Sequence, residues 1–303
     1  MTSTTAPVPS IDAAMPKASV DGRNLLLLVA PALLLLGLCL VIPMLGLVRV
    51  SFYPGSTSIG ASGFSFAQYA KFLSDWFYPS VLLGTLLDGL IVTSICLVLG
   101  FPVGYSLARQ DPVRRRLRMI LVILPLTLSL VVIVFGWMVI LSRGGLLNRI
   151  LMSIGLFETP QQLLFNRPAV IVVLVQQFIP FMILSIMSVV SQIDPVLEQA
   201  SASLRAGRLQ TFRKVIFPLA APGILAGSTL VFVLTISAFI TPRLIGGAGT
   251  QMVGALIFEE VMASLNWPFA AAMSFLLLFV GLTISTVANR LVVKRMNEAA
   301  NGY

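Results

Sequence analysis

The sequence predicts an all-α membrane protein with six transmembrane helices, and three of its features support this prediction. Hydrophobic residues make up 57% of the 303 residues and charged residues only 10%, whereas a soluble domain typically has about 25% charged residues. A bilayer-spanning helix needs about 20 mostly apolar residues, and six segments meet this requirement. The predicted spans are residues 25–48, 81–108, 119–141, 169–191, 219–241 and 269–289.

The first span follows a tail, residues 1–24, that is rich in Ser, Thr, Pro and Ala and is predicted to be disordered. At about 1.5 Å per residue the span is about 36 Å long, enough to cross an apolar layer of about 30 Å with some tilt. It is too long for the apolar core of a signal peptide, and no small-residue cleavage site follows it. We therefore expect it to be retained in a membrane domain over residues 25–295, followed by a short tail, residues 296–303.

The distribution of Lys and Arg predicts that both ends of the chain are cytoplasmic. If the N-terminus is cytoplasmic, most of the 20 Lys and Arg residues fall on the cytoplasmic side, mainly in the connections 109–118 and 192–217 and after the last span. Short cytoplasmic loops of membrane proteins carry such an excess. The net charge of +9 is therefore explained by topology and by contact with membrane lipid headgroups, and we expect no nucleic-acid partner.

Several function classes are disfavoured by what the sequence lacks. It contains no histidine, which removes Ser–His and H-E-x-x-H chemistry. Its two cysteines, Cys39 and Cys96, lie inside apolar runs, where small core residues are commoner than a metal pair. No G-x-x-x-x-G-K-[ST] loop is present, because the glycine run at 246–249 lacks the lysine. We therefore expect no catalytic residue, metal or cofactor, while a channel or secondary transporter stays open at this point.

One connection differs from the others, because residues 192–217 carry several charges at helical spacing with a glycine in the middle. Asp194 and Pro195 suit the start of a helix, and Glu198 falls in its first turn, where the helix dipole favours an anion. Gly207 offers a C-terminal stop, after which a second short helix leads into the fifth span. The apolar positions of the two short helices are Leu197, Ala200 and Leu204, followed by Leu209, Phe212 and Ile216.

This periodicity leaves two interpretations open. The loop is either an amphipathic element lying on the membrane surface, or a docking element whose apolar face fits a groove of a soluble partner.

The stretch from Glu198 to Gly207, EQASASLRAG, continued by IFP at 216–218, resembles the EAA signature of type I ABC-importer permeases. The glycine stands nine residues after the glutamate, as in that signature, and the departure in the triplet is Gln199. The resemblance extends over residues 25–295 and is strongest to the PotB-like spermidine/putrescine permease branch. The runs that carry it are LVLGFPVGYSLAR at 97–109, LSRGGLLNRIL at 141–151 and NWPFAAA at 266–272.

The resemblance implies a type I permease fold in a bacterial inner membrane, in a chain that is itself not an enzyme. It implies that the loop is a coupling helix seated in a cleft of a separate ABC ATPase subunit, and that a second permease subunit completes the pathway as a heterodimer. A periplasmic or extracellular binding protein would deliver the solute, which is a polyamine or a related small solute, with iron(III) or an amino-acid derivative as alternatives. The residues assigned to coupling are Glu198, Ala200, Leu204, Gly207, Phe212, Ile216 and Pro218.

Two charged residues are candidates for the substrate pathway. Asp88 lies within the second span, where an ionisable side chain marks a functional site or pairs with another charge. The alternatives to a functional site are that Asp88, near the outer end of the span, is solvated, or that it pairs with Arg243 or Lys71. Arg243 stands where permeases of the resembling branch often have an acidic residue, and this departure keeps solutes other than polyamines among the alternatives.

Two pairs of glycines spaced four residues apart predict close approach of helices. Gly100 and Gly104 lie on the second span, and Gly223 and Gly227 on the fifth. Such small-xxx-small pairs let helix backbones come together in membranes.

Overall fold

The computed structural model describes residues 22–55, 63–247 and 249–301, and within these ranges the chain is helical without a β-strand. Two π-helical turns, Phe212–Ile216 and Pro242–Gly246, interrupt the α-helices. The α-helices, in chain order, are α1 Gly22–Ser51, α2 Ala67–Ser74, α3 Phe77–Ala108, α4 Pro112–Thr127, α5 Leu130–Leu141, α6 Leu146–Ser153, α7 Arg167–Val190, α8 Val196–Ser203, α9 Arg208–Thr211, α10 Phe217–Ile236, α11 Val253–Met262 and α12 Trp267–Asn301.

Six helical stretches in the described part of the chain are long and apolar enough to cross a membrane, which confirms the predicted number of spans. They are Val29–Ser51, Phe77–Ala108, Leu130–Ser153, Arg167–Val190, Arg208–Ile236 and Trp267–Leu291. The chain divides into two compact units, Met1–Leu47 and Val48–Tyr303. In the first unit, the large apolar side chains of α1 whose burial is described, from Val29 to Leu47, are exposed, as expected for a helix that faces lipid.

The third span differs most from its prediction. Where the sequence predicts one helix over residues 119–141, the structure has two, α4 and α5, separated by Leu128 and Ser129 in extended conformation. Pro125 lies inside the last turn of α4. It lacks the N–H that would continue the hydrogen-bond ladder, and the helix ends at Thr127.

The boundaries of the other helices also shift. The predicted fifth span, 219–241, is interrupted, because Ser237 to Phe239 are not helical and the chain becomes helical again at Ile240 and Thr241. The predicted C-terminal tail begins inside α12, which continues to Asn301. Of the predicted N-terminal tail, residues 1–21 lie outside the described residues, and α1 begins at Gly22.

The core of the second unit is built around α7, which packs between α3 and α10. Half of the α7 residues are buried, among them Val173, Met182 and Ile186. The prediction from the glycine pairs is confirmed. A Cβ atom on Gly104 of α3 would lie 2.9 Å from the carbonyl oxygen of Ile183, and the other three glycines also pack against α7, at Met182, Ser185 and Val189.

Candidate functional site

The loop that follows α7 forms two short helices, as the sequence predicts, with a start one residue later than expected. Pro195 occupies the N-cap position of α8, and the first helical residue is Val196. Asp194 still closes the helix end, because its Oδ1 accepts a hydrogen bond from the backbone N–H of Val196 at 2.9 Å. This bond satisfies one of the N–H groups that a helix start leaves without a partner.

The bend between α8 and α9 is made by a different residue from the one predicted. Arg205, with φ of 57°, adopts the left-handed conformation that ends many helices. Gly207 is extended, with φ of −67° and ψ of 156°, and is the N-cap residue of α9. A Cβ atom built on Gly207 meets nothing within 4 Å. The prediction that Gly207 stops the first helix is therefore wrong, and nothing inside the described chain requires a glycine there.

Glu198 ties the loop to the end of α3. Its Oε2 accepts a hydrogen bond from the Tyr105 hydroxyl at 2.7 Å, and its Oε1 accepts one from Arg109 Nε at 2.8 Å. Arg109 also donates from Nη1 to the carbonyl oxygen of Ile193 at 2.8 Å. Both side chains of the ion pair are about four-fifths buried, so the carboxylate holds the start of α8 and the end of α3 together with charge-assisted bonds.

A second contact braces the two halves of the loop. The hydroxyl groups of Ser201 on α8 and Thr211 on α9 lie 2.8 Å apart and share a hydrogen bond. The backbone N–H of Ala206 also donates to the carbonyl oxygen of Ser201 at 3.1 Å. The bend is thus a preformed turn rather than a loose connection.

The predicted coupling residues separate into two groups in this structure. Ala200, Leu204 and Gly207 are exposed on the loop, and Leu204 exposes 83% of its surface. Phe212 and Ile216 turn inward. The ring of Phe212 meets that of Phe101 edge to face at 5.1 Å, and Ile216 is buried. Pro218 occupies the first turn of α10. Glu198, on α8, is partly buried against the end of α3.

Leu209, unlike Phe212 and Ile216, is exposed on the outer side of the bend, with 71% of its surface accessible. Leu209 lies two residues after Gly207, and Leu204 lies three residues before it. Two large apolar side chains therefore stand on either side of the bend. The cations Arg205, Arg208, Arg213 and Lys214 are exposed around them.

Asp88 pairs with a residue that the sequence did not indicate. Its Oδ1 accepts a hydrogen bond from Arg167 Nε at 2.6 Å, and Arg167 Nη2 also donates to the carbonyl oxygen of Gly84 at 3.3 Å. The Asp88 side chain is buried, whereas almost half of the Arg167 side chain is exposed. The pair joins α3 to the start of α7 and satisfies the charge inside the span.

The expected partners of Asp88 contact aromatic rings instead. Arg243 is exposed, and its guanidinium lies 5.1 Å from the centre of the Phe258 ring. The ammonium of Lys71 lies 4.2 Å above the ring of Phe269. Asp88 is therefore neither solvated nor paired with Arg243 or Lys71, and the two pathway candidates do not meet.

Sequence reasoning missed Arg109, Tyr105 and Arg167 as structural partners. Arg109 was assigned only to the basic loop that anchors the topology. Tyr105 lies in the last turn of α3 and Arg109, four residues later, is the C-cap residue, a spacing that places the two side chains on one helix face. That local signal indicates a polar cluster, but it does not indicate which acidic residue of the chain meets it.

Comparison with known proteins yields both a family and close relatives. Residues 100–298 match the family described as "Binding-protein-dependent transport system inner membrane component". The "Spermidine/putrescine transport system permease protein PotB" of Escherichia coli (strain K12) is 36% identical over 236 residues, which cover 77% of this chain and 86% of that protein. The protein of the same name from Haemophilus influenzae (strain ATCC 51907 / DSM 11121 / KW20 / Rd) is 34% identical over 264 residues, which cover 86% of this chain and 90% of that protein.

The fold is also found among solved structures. A chain in the "Crystal structure of bacterial alginate ABC transporter in complex with alginate pentasaccharide-bound periplasmic protein" superposes with a TM-score of 0.68 and 19% identity. The match covers 91% of this chain and 96% of that chain. At this level of identity the likeness shows a shared fold.

Proposed function

Because the chain belongs to the family of binding-protein-dependent transport system inner membrane components and is an ABC-importer permease, we propose that residues 192–217 couple it to a separate ATPase subunit. In this proposal the chain forms half of the translocation pathway, and a second permease forms the other half as a heterodimer. A binding protein outside the membrane delivers the solute. ATP is hydrolysed by the partner, and this chain converts closure of the ATPase into movement of its spans.

The observation that carries the proposal is the pair of exposed leucines at a braced bend. An interfacial helix lies flat on lipid along a continuous apolar face, but here α8 has eight residues and stops, and α9 has four. Leu204 and Leu209 instead project on either side of a turn that Ser201 and Thr211 hold in shape. A short, hydrogen-bonded turn with an exposed leucine on each side suits docking into a groove of a protein.

The ion pair of Glu198 and Arg109 supplies the mechanical connection in this proposal. A displacement of α8 by the ATPase pulls on Arg109 at the end of α3 through a hydrogen bond from Nε at 2.8 Å and an ion-pair contact of Nη2 at 2.6 Å. The bond from Arg109 to Ile193 includes the segment that follows α7. The ends of α3 and α7 therefore move together with the loop, and movement of two packed helices is what alternating access requires.

We propose a polyamine as the solute, by analogy with the relatives named as spermidine/putrescine permeases. The exposed cation Arg243 is a feature that this substrate does not explain. Iron(III) and an amino-acid derivative therefore remain the alternative solutes to be tested in the same uptake assay.

Replacing Leu204 with aspartate is expected to release the ATPase while the permease still folds. Truncation of a buried apolar anchor at an interface costs about 2 kcal/mol or more, roughly thirty-fold in affinity, and burying the new charge adds to this cost. The measurement is co-purification of the ATPase with the tagged permease, together with uptake. Gln199→Asp is the matched control, because it adds the same charge to α8 about 140° away around the helix and is expected to retain the ATPase. Equal retention of the ATPase by both variants would contradict a coupling role for Leu204.

The orientation of the chain is a separate expectation that labelling can check. In a variant whose Cys39 and Cys96 are replaced by alanine, Ser203→Cys is expected to react with a membrane-impermeant thiol reagent only after the cells are opened. Ser203 is exposed in the isolated chain, and the reaction in opened cells shows that the thiol stays accessible in the assembled transporter, so a lack of labelling in intact cells then reflects sidedness. Ser264→Cys, exposed in the connection before the last span, is expected to react in intact cells. The reverse pattern would invert the proposed topology.

A further inference from the structure

Two helices stop inside the span region at one shared cavity. The first break, at Leu128 and Ser129, separates α4 from α5, and the second follows α10 at Ser237. A cavity of about 290 Å³ lies between the breaks and is lined by Leu128, Ser237 and Phe239 and by Gln177 of α7. Gln177 is the eleventh of the 24 residues of α7, so the cavity lies near the middle of the helix.

Non-helical backbone at membrane depth is tolerated where it is buried in protein or lines a cavity. Both breaks satisfy this condition, because residues of each line the cavity. In transporters, such discontinuous helices form solute and ion sites through their free ends. The position of these two breaks at the same cavity therefore points to a binding function rather than to two independent kinks.

The helices α4 and α10 reach the cavity with their C-terminal ends. The last carbonyl groups of a helix have no amide partner within the helix, and the C-terminal end carries a partial negative charge. Local amides use some of these oxygens. Leu128 N–H donates to Pro125 at the long distance of 3.4 Å, and Ser237 N–H donates to Val233 at 3.2 Å. The geometry leaves two electronegative helix ends around one space.

A buried amide adds a polar side chain to the same cavity. Gln177 is 7% exposed and Thr241 1%. Gln177 Nε2 donates to Thr241 Oγ1 at 2.9 Å, and Thr241 Oγ1 lies 3.3 Å from Gln177 Oε1. Because the second bond is long, and an amide oxygen has two lone pairs, Oε1 can accept a further hydrogen bond from a ligand.

The sign of the ligand's charge follows from the rest of the lining. Each break also presents a helix start, that of α5 at the first and that of the helical segment from Ile240 at the second, and a helix start favours an anion. These two starts offset the two C-terminal ends, so the backbone alone does not set the sign of the charge. None of the described side chains that line the cavity carries a charge, and the lining includes the aromatic rings of Phe178, Phe181 and Phe239, which attract cations.

We propose that this cavity is a subsite for a positively charged amino group of the transported solute, an assignment that rests on the proposed transport function. An ammonium has N–H donors for the helix-end carbonyls and for Gln177 Oε1, and its charge suits the aromatic rings. A neighbouring cavity of about 470 Å³ shares Ser237 and Phe239 and is otherwise lined mainly by apolar side chains such as Ile236 and Leu277. It suits the methylene chain of an alkylamine.

The charge preference of the cavity can be measured without transport. Ser237 lines the cavity and is exposed, so Ser237→Cys in the assembled transporter, with Cys39 and Cys96 replaced, presents a thiol there. The quantity to measure is the reaction rate of a methanethiosulfonate reagent bearing trimethylammonium divided by the rate of one bearing sulfonate. This rate ratio is divided by the same ratio measured with 2-mercaptoethanol, which corrects for the intrinsic reactivity of the two reagents. We expect a corrected ratio of roughly ten. Equal corrected rates, or faster reaction of the anionic reagent, would overturn the proposal.

A transport experiment tests the amide itself. In the complete transporter, Gln177→Met is expected to raise the KM for spermidine uptake by roughly tenfold while the ATPase is retained. Gln176→Met is the control, since the neighbouring amide is bonded to Trp137 Nε1 at 3.2 Å. We further expect Gln177→Glu to keep uptake and Gln177→Lys to abolish it, with the ATPase still bound in both. A greater loss of uptake in Gln177→Glu than in Gln177→Lys would overturn the proposal of a cation subsite. Absence of spermidine uptake by the unmodified transporter would reject the proposed solute, whereas the reagent ratio would still decide the charge of the subsite.

Discussion

Gly207→Val is expected to abolish uptake and to release the ATPase, while the permease is inserted and folded as before. The reason lies outside this chain. Gly207 has φ of −67° and ψ of 156°, a region that β-branched residues favour, and an added Cβ meets nothing within 4 Å. The folded chain therefore accommodates valine. Any loss must come from a surface that approaches the bend between Leu204 and Leu209.

The measurement for this prediction pairs uptake with co-purification of the ATPase and with the thermal unfolding midpoint of the isolated permease. Gly144→Val serves as the control, because Gly144 lies in a turn between α5 and α6 and also has open space around it. Gly144→Val is expected to retain both uptake and binding of the ATPase. Glu198→Ala is expected to give a milder defect, since it loosens the loop from Arg109 and Tyr105 but leaves the leucines in place. Uptake at the level of the unmodified transporter in Gly207→Val would reject the coupling role of the bend.

The parts of the fold that the sequence predicts are those encoded locally. A span is recognised from about 20 consecutive apolar residues, so the sequence predicts the number of spans, although the third one lies further along the chain than expected. The two short helices of the loop follow from Asp194, Pro195 and the spacing of the leucines, which are signals within a few residues. The close approach of helices follows from Gly100 and Gly104, because glycines at that spacing have few other uses in a membrane helix.

What the sequence does not predict depends on residues far apart in the chain or on backbone details. Asp88 and Arg167 are 79 residues apart, and Arg109 and Glu198 are 89 apart, so their pairing is fixed only by the packing of α3 against α7. The break at Leu128 and Ser129 follows Pro125, but the segment around it contains only a few weakly polar residues, so its hydropathy alone predicts one continuous span. Arg205 takes the left-handed position although glycine stands two residues later, because propensity at a single residue is a weak preference that tertiary structure overrides.

Gly104→Leu is expected to destabilise the permease strongly, because the space at this residue is closed by backbone. A Cβ atom there would lie 2.9 Å from the carbonyl oxygen of Ile183 and 3.2 Å from the side chain of Ile186. The carbonyl belongs to α7 and cannot rotate away as a side chain would. Overpacking of a tight core costs about 1–3 kcal/mol, and occasionally more. Separation of α3 from α7 would also strain the ion pairs of Asp88 and Glu198, so we expect loss of uptake as well as stability.

Gly84→Leu on the same helix isolates the steric effect. Gly84 lies on α3 with nothing within 4 Å of an added Cβ, and leucine is a better helix former than glycine by several tenths of a kcal/mol or more. Intrinsic propensity therefore favours both substitutions equally, and only contact with α7 distinguishes them. The thermal unfolding midpoint in detergent is expected to fall for Gly104→Leu and not for Gly84→Leu. Gly223→Leu on α10, where a Cβ would lie 2.8 Å from the Ser185 carbonyl oxygen, is expected to behave like Gly104→Leu. If all three variants unfold at the same temperature, α7 does not lie in backbone contact with α3 and α10. The loop would then have no rigid connection through which to move the spans.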